Sequence, residues 1–144
     1  MNKWVLLEHK VYTANSFDIH YDFLVENGID CLTWKFLKLP LLNQASIEII
    51  KQPNHRLVWL SRLEHELSDN RGFVKRIDHG IFKSVSDKLD SEHYRFILDG
   101  ELLYGLFEIS GNFCISHNPY RFWINSRSYC WSWKFAIHCF KICT

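Results

Sequence analysis

Several large classes of protein are excluded by what the sequence lacks. No stretch of its 144 residues approaches the ~20 consecutive apolar residues of a membrane span, and the opening Met1-Asn2-Lys3-Trp4-Val5-Leu6-Leu7-Glu8 is too short an apolar run for a signal-peptide core. Excess charge of either sign is also missing. With 17 basic and 16 acidic residues the formal net charge is +1, so the whole-molecule field offers no general attraction to nucleic acid or an anionic membrane. Any contact with nucleic acid must therefore come from a local patch. The five cysteines (Cys31, Cys114, Cys130, Cys139, Cys143) are odd in number and unevenly spread, which suits reduced thiols better than a disulfide framework. These absences predict a cytoplasmic protein with no membrane partner.

Alanine is scarce and there is one methionine, whereas aromatic residues reach 16%. Large flat side chains pack well across a pleated surface, so the composition leans towards strands. Hydrophobic residues at 47% and charged residues at 23% match ordinary globular usage, and the length suits one core.

Apolar runs at 4–9 and 19–25, separated by Tyr12-Thr13-Ala14-Asn15-Ser16, read as strand, loop, strand. Glu26-Asn27-Gly28 supplies a turn, and a third strand over 31–39 stops at Pro40. Residues 46–51 fit a strand or a helical turn, and Pro53 and Asn54 are expected to interrupt the chain just before His55. Asp78-His79-Gly80 is expected to turn a hairpin between strands at 73–77 and 81–85, and Asp99-Gly100 another between 94–98 and 102–109. Ser110-Gly111-Asn112 leads into a last short strand at 113–116. Many short strands with no run of helices between them predict a mainly β fold, a small antiparallel β-barrel with at most one or two short helices. The barrel is expected to occupy residues 1–118. Residues 119–144 form an aromatic and cysteine-rich C-terminal segment, expected to pack on the same domain, in which 135–142 fits a helix or a strand.

Chemistry concentrates in Ile19-His20-Tyr21-Asp22-Phe23-Leu24-Val25. Side chains two apart on a strand point the same way, so His20 and Asp22 share a face opposite the apolar Ile19, Tyr21, Phe23 and Val25. That polar face either meets water or lines a pocket. An imidazole and a carboxylate on one rigid face can both ligate a divalent cation, and such sites recruit a third ligand from a neighbouring strand. His9, at the end of the preceding strand, is the natural candidate. Non-haem iron oxygenases use the same donor types, although their double-stranded β-helix normally needs a longer chain.

Seven pieces, in order, carry a family resemblance: Val5-Leu6-Leu7-Glu8-His9, His20-Tyr21-Asp22-Phe23, Thr33-Trp34-Lys35, Asn54-His55-Arg56-Leu57, Arg71-Gly72-Phe73-Val74, Asp78-His79-Gly80 and Gly100-Glu101-Leu102-Leu103-Tyr104-Gly105. Over residues 4–109 the chain resembles the 3'-phosphoesterase domain of bacterial DNA ligase D, and more closely the short stand-alone proteins that carry that domain. The resemblance implies a β-barrel whose pocket holds a divalent metal of the manganese type. It further implies trimming of 3'-phosphate or 3'-ribonucleotide ends of DNA or of a DNA/RNA junction, beside a DNA ligase or end-joining protein.

Carried over by position, the resemblance makes His9, His20 and Asp22 the metal ligands, with extra residues in the loop before His20. It matches His55 to a phosphate-contacting histidine and Lys38 to an active-site lysine. Trp59 stands where the family has a phosphate-contacting tyrosine, and Leu24 where it has an arginine that grips the phosphate. Leucine cannot replace that bidentate fork, so Arg71 or Arg56 is the expected substitute. Without either, the expectation is a protein that binds ends without cleaving them or acts on a different phosphoester. His65, His79, His93 and His117 fall in polar or turn-like surroundings and are assigned no role. His138, Cys139 and Cys143 lack a second spaced pair of zinc ligands.

Overall fold

A run of apolar residues buried on both faces carries β1 (Lys3–Tyr12), and alternation of apolar and polar residues carries the first part of β2 (Phe17–Asn27), a hairpin longer at both ends than its apolar runs indicate. In the computed structural model, which describes residues 2–39, 46–85 and 93–117, seven further strands follow. These are β3 (Asp30–Phe36), β4 (Ile47–Arg56), β5 (Glu64–Leu67), β6 (Gly72–Ser84), β7 (His93–Asp99), β8 (Tyr104–Ser110) and β9 (Phe113–His117). They form one antiparallel sheet in the order β1-β2-β3-β4-β9-β8-β7-β6-β5, and pairing of β1 with β6 closes it into a ring with β5 outside. Closure matters because it removes the unpaired edges that invite aggregation. The mainly β expectation is therefore met. Two short 3-10 turns, Leu57–Leu60 and Ser68–Asn70, are the helical elements among the described residues. No helix among these residues is long and apolar enough to cross a membrane.

All eight ring strands or their flanks send side chains into one interior cluster: Trp4 and Leu6 of β1, Phe23 and Val25 of β2, Trp34 and Phe36 of β3, Ile49 of β4, Phe82 of β6, and their counterparts from β7 to β9. Phe23 is its hub, stacked on Phe36 at 5.5 Å and tilted against Trp4 at 5.9 Å. Each fully buried side chain of this kind contributes about 1.5–3 kcal/mol relative to exposure. A second, smaller cluster lies on the opposite face of β1, β2, β3 and β6, where Val5, Leu7, Leu24, Cys31 and Val74 are covered by Trp59, Leu60 and Leu67. The chain between β4 and β6 thus folds back over the outside of the ring.

Two expected breaks are absent. Pro53 does not interrupt the chain: β4 runs through it, and it falls where the β3–β4 register slips between the Cys31↔His55 and Thr33↔Gln52 pairs. An irregular stretch of ladder is where a residue without an N–H is tolerated. The ambiguous stretch at 46–51 is accordingly strand from Ile47 onward. Asp78-His79-Gly80 is no turn either, since β6 continues through it with a bulge opposite Leu6 and Leu7. The Asp78 carboxylate instead accepts backbone N–H groups of His79, Glu101, Leu102 and Leu103 at 2.7–3.0 Å, so it binds the turn after β7. Gly80 is required for another reason: a Cβ there would collide with the Asp99 carboxylate. The hairpins at 94–109 and 106–117 form as expected. Residues 119–144, with the expected C-terminal segment, lie outside the described residues.

Candidate metal centre

His9 and His20 are direct cross-strand partners in the β1–β2 ladder, and Asp22 pairs with Leu7 one step along the same face. The alternation that sends Tyr21, Phe23 and Val25 inward therefore turns His20 and Asp22 outward, beside His9. His9 Nδ1 lies 3.1 Å from His20 Nε2 and 3.8 Å from Asp22 Oδ2, and His20 Nε2 lies 3.5 Å from Asp22 Oδ1. One donor atom from each residue falls within 4.8 Å of the others, as a shared ion requires.

These distances can be weighed against coordination geometry. Two donors each ~2.1 Å from a cation stand roughly 3.0 Å apart at a right angle and roughly 3.4 Å apart at the tetrahedral angle. A proton shared between the two rings would satisfy only the 3.1 Å pair, because 3.5 and 3.8 Å are too long for good hydrogen bonds. The 3.1 and 3.5 Å separations match donors gathered round one cation, while the 3.8 Å separation, measured to the other carboxylate oxygen, is wider than either angle gives. His9 Nε2 is sealed from solvent without a hydrogen-bond partner among the described residues, so this ring also has bonding capacity unmet. Burial pushes the Asp22 carboxyl up, but the adjacent His20 and His9 imidazoles more than reverse that and hold its pKa at about 2. Asp22 is thus a permanent anion at physiological pH. The donor set of two imidazoles and one carboxylate suits manganese, iron or zinc.

The location of the site differs from expectation. The resemblance implies a pocket within the barrel, whereas the interior is filled by aromatic side chains and the triad lies on the outer face, on the side of the second cluster. Leu24 follows Asp22 on that face and is fully buried beneath Trp59 and Leu60. The position that the resemblance aligns with a phosphate-gripping arginine is therefore filled with hydrocarbon.

The remaining predicted residues divide into two groups. His55 and Lys38 stand apart from the triad. His55 pairs with Cys31, four strand positions and two strands from Asp22, and its Nδ1 faces the Pro53 carbonyl at 3.0 Å. Lys38 is exposed just beyond β3. Arg56 and Arg71, in contrast, come together in one pocket of ≈ 560 Å³ with Trp59, Arg62, His65 and Ser68. His65 and Arg62 were not expected there. The register places His65 beside Val74, Val74 beside His9, and His9 beside His20, in one row across β5, β6, β1 and β2. At a strand spacing of ~4.8 Å, the backbones of His65 and His9 are about 10 Å apart. The signal was the alternation of His65 and Leu67 against Glu64 and Glu66, too short in a strand of four residues to orient it from sequence.

Comparison with protein-family models and with curated proteins finds no match for this chain.

Proposed function

We propose that the protein is a divalent-metal-dependent phosphoesterase that trims phosphate or a ribonucleotide from 3' ends of nucleic acid, in the manner of the ligase D domain it resembles. The observation that carries this reading is the convergence of His9, His20 and Asp22, picked out in the sequence by strand alternation and matched by position to the metal ligands of that resemblance. They would hold the ion, proposed to be manganese. When bound, it supplies Lewis acidity towards a phosphoryl oxygen and eases deprotonation of water near neutral pH.

The chain's own residues supply the remainder. Asp22 contributes negative charge that favours a divalent cation, and His9 and His20 contribute neutral donors. Because Leu24 is apolar and His55 and Lys38 stand apart, charge on the phosphate is proposed to fall to Arg56 and Arg71, which line the pocket that also contains His65. Such a protein would act in DNA repair, beside a ligase or end-joining protein.

A second reading, a non-catalytic module that binds ends, is favoured by the burial of Leu24 under Trp59. Phosphate release from a 3'-phosphorylated primer separates the two. We expect release with manganese, none with chelator, and none from Asp22→Ala. Oligonucleotide binding without release under every metal condition would sink the enzymatic reading in favour of the second. Turnover with ferrous iron and a 2-oxo acid, without phosphate release, would instead indicate an oxygenase.

A further inference from the structure

The pocket beside the triad has a chemistry of its own. Arg56, Arg62 and Arg71 all line it, and none has a carboxylate within 4.0 Å among the described residues. Glu66 reaches the rim from a strand position that faces away from His65. Each guanidinium presents five N–H donors. Arg71 commits Nε and one terminal nitrogen to Ser68, at 3.0 and 2.9 Å. Arg62 lies over the Trp59 ring at 4.9 Å, which leaves its edge free to donate. Arg56 makes no side-chain hydrogen bond among the described residues. Three like charges gathered in one concavity repel each other, and an anion relieves that repulsion while using the forks of the guanidiniums.

Size and shape narrow the class of anion. A volume of ≈ 560 Å³ lies in the range of small-ligand sites and exceeds what a lone phosphate fills. The Arg62–Trp59 stack, with His65 set edge-on to Trp59 at 5.6 Å, offers a base a planar partner beside the cations. A balanced net charge argues against coating of duplex DNA and for a short footprint. We infer that this pocket is a metal-independent nucleotide site, in which Arg56, Arg62 and Arg71 hold the phosphate and the Arg62–Trp59 stack receives the base. Its link to strand ends rests on the phosphoesterase reading, since the row from His65 to His9 would place the nucleotide next to the metal centre.

The test is fluorescence anisotropy of a 5'-labelled single-stranded decanucleotide on the full chain in chelator, with AMP and inorganic phosphate as competitors. Arg56→Gln combined with Arg62→Gln should weaken binding roughly tenfold to a hundredfold, as expected when hydrogen bonds to a charged group are removed. The slope of log affinity against log salt should become shallower by about 0.7 for each phosphate the variant no longer neutralises. Arg62→Lys retains the charge but not the planar guanidinium that lies over Trp59, and should weaken binding less than Arg62→Gln. Competition by AMP stronger than by phosphate supports the nucleotide site, and equal competition by phosphate or none by AMP would overturn the base contact at the Arg62–Trp59 stack. Unchanged affinity and slope in the double variant, with the fold intact by circular dichroism, would overturn the inference. Manganese titration of the wild type and Asp22→Ala is read separately. Arginine-dependent binding without metal binding would overturn the phosphoesterase reading and leave the pocket standing.

Discussion

Asp22 and Leu24 point to the same face of β2, one set between two imidazoles and the other sealed under Trp59 and Leu60. A two-residue step thus separates a charged centre from an apolar seal. Leu24→Ala should cost about 2–5 kcal/mol, the range for removing a fully buried leucine, read by chemical denaturation. Leu24→Arg, which introduces the residue that the ligase D resemblance would put there, should destabilise by as much or more, because a guanidinium would replace hydrocarbon in a fully buried apolar site. A gain in phosphate release without loss of stability would show that the seal opens and that the face is a phosphate site after all.

The Asp22 carboxyl carries a dependence on pH whose sign is defined. Its folded pKa of about 2 lies below the ordinary 3.8, so the unfolded chain binds the proton first as pH falls. The stabilisation, about 2 kcal/mol, is complete above the unfolded value and is lost between pH 3.8 and about 2. The stability difference between wild type and Asp22→Asn should therefore narrow across that window and stay constant from pH 5 upward to the onset of histidine titration. Equal slopes for both proteins below pH 4 would show that the imidazoles do not hold the carboxylate.

Burial pushes the Cys114 thiol up to about 12 and, with Asp30 and Glu26 adding repulsion, the Cys31 thiol up to about 11. Both are fully buried. At pH 8 the thiolate fraction is then ~0.001 for Cys31 and ~0.0001 for Cys114, too small for reaction on the minute scale. Native protein treated with a disulfide reagent should leave both unmodified by mass spectrometry, and denaturant should expose them. Fast native labelling of Cys31 would mean that the 57–67 segment opens readily.

What the sequence made legible follows from period. The alternation in Ile19-His20-Tyr21-Asp22 separates polar from apolar faces, and a strand partner at His9 completes the triad, so the candidate site was visible before any fold. Alternation does not say which side of a closed ring each face meets. That depends on where the other six ring strands place their aromatics, and the triad consequently lies outside rather than in the barrel. Asp78-His79-Gly80 misled because Gly80 accommodates a close side chain from β7, a long-range demand that looks locally like a turn. Pro53 misled in the opposite way, since an irregular register absorbs its missing N–H. His65 went unassigned because four residues of β5 give too short a pattern to orient.

Asp78 holds the turn after β7 through its side chain, and its own strand bulges opposite Leu6 and Leu7. That bulge decides which β6 residue stands beside Leu7 and His9, and so where Val74 and His65 fall in the row. Asp78→Ala leaves the buried backbone donor of Leu103 and the partly buried donors of Glu101 and Leu102 without their acceptor, at about 1–3 kcal/mol for the buried one and less for the others. A total near 3 kcal/mol corresponds to a fall in Tm of roughly 10 °C for a domain of this size. Asp78→Asn keeps one acceptor oxygen and should destabilise less. Hydrogen exchange supplies the specific readout: the turn amides of Glu101, Leu102 and Leu103 should accelerate in Asp78→Ala relative to wild type more than the β8 amides do. If metal affinity at His9, His20 and Asp22 also falls, the β6 register supports the triad. Should exchange accelerate at the turn while metal affinity holds, the β1–β2 hairpin alone is enough to position the three donors.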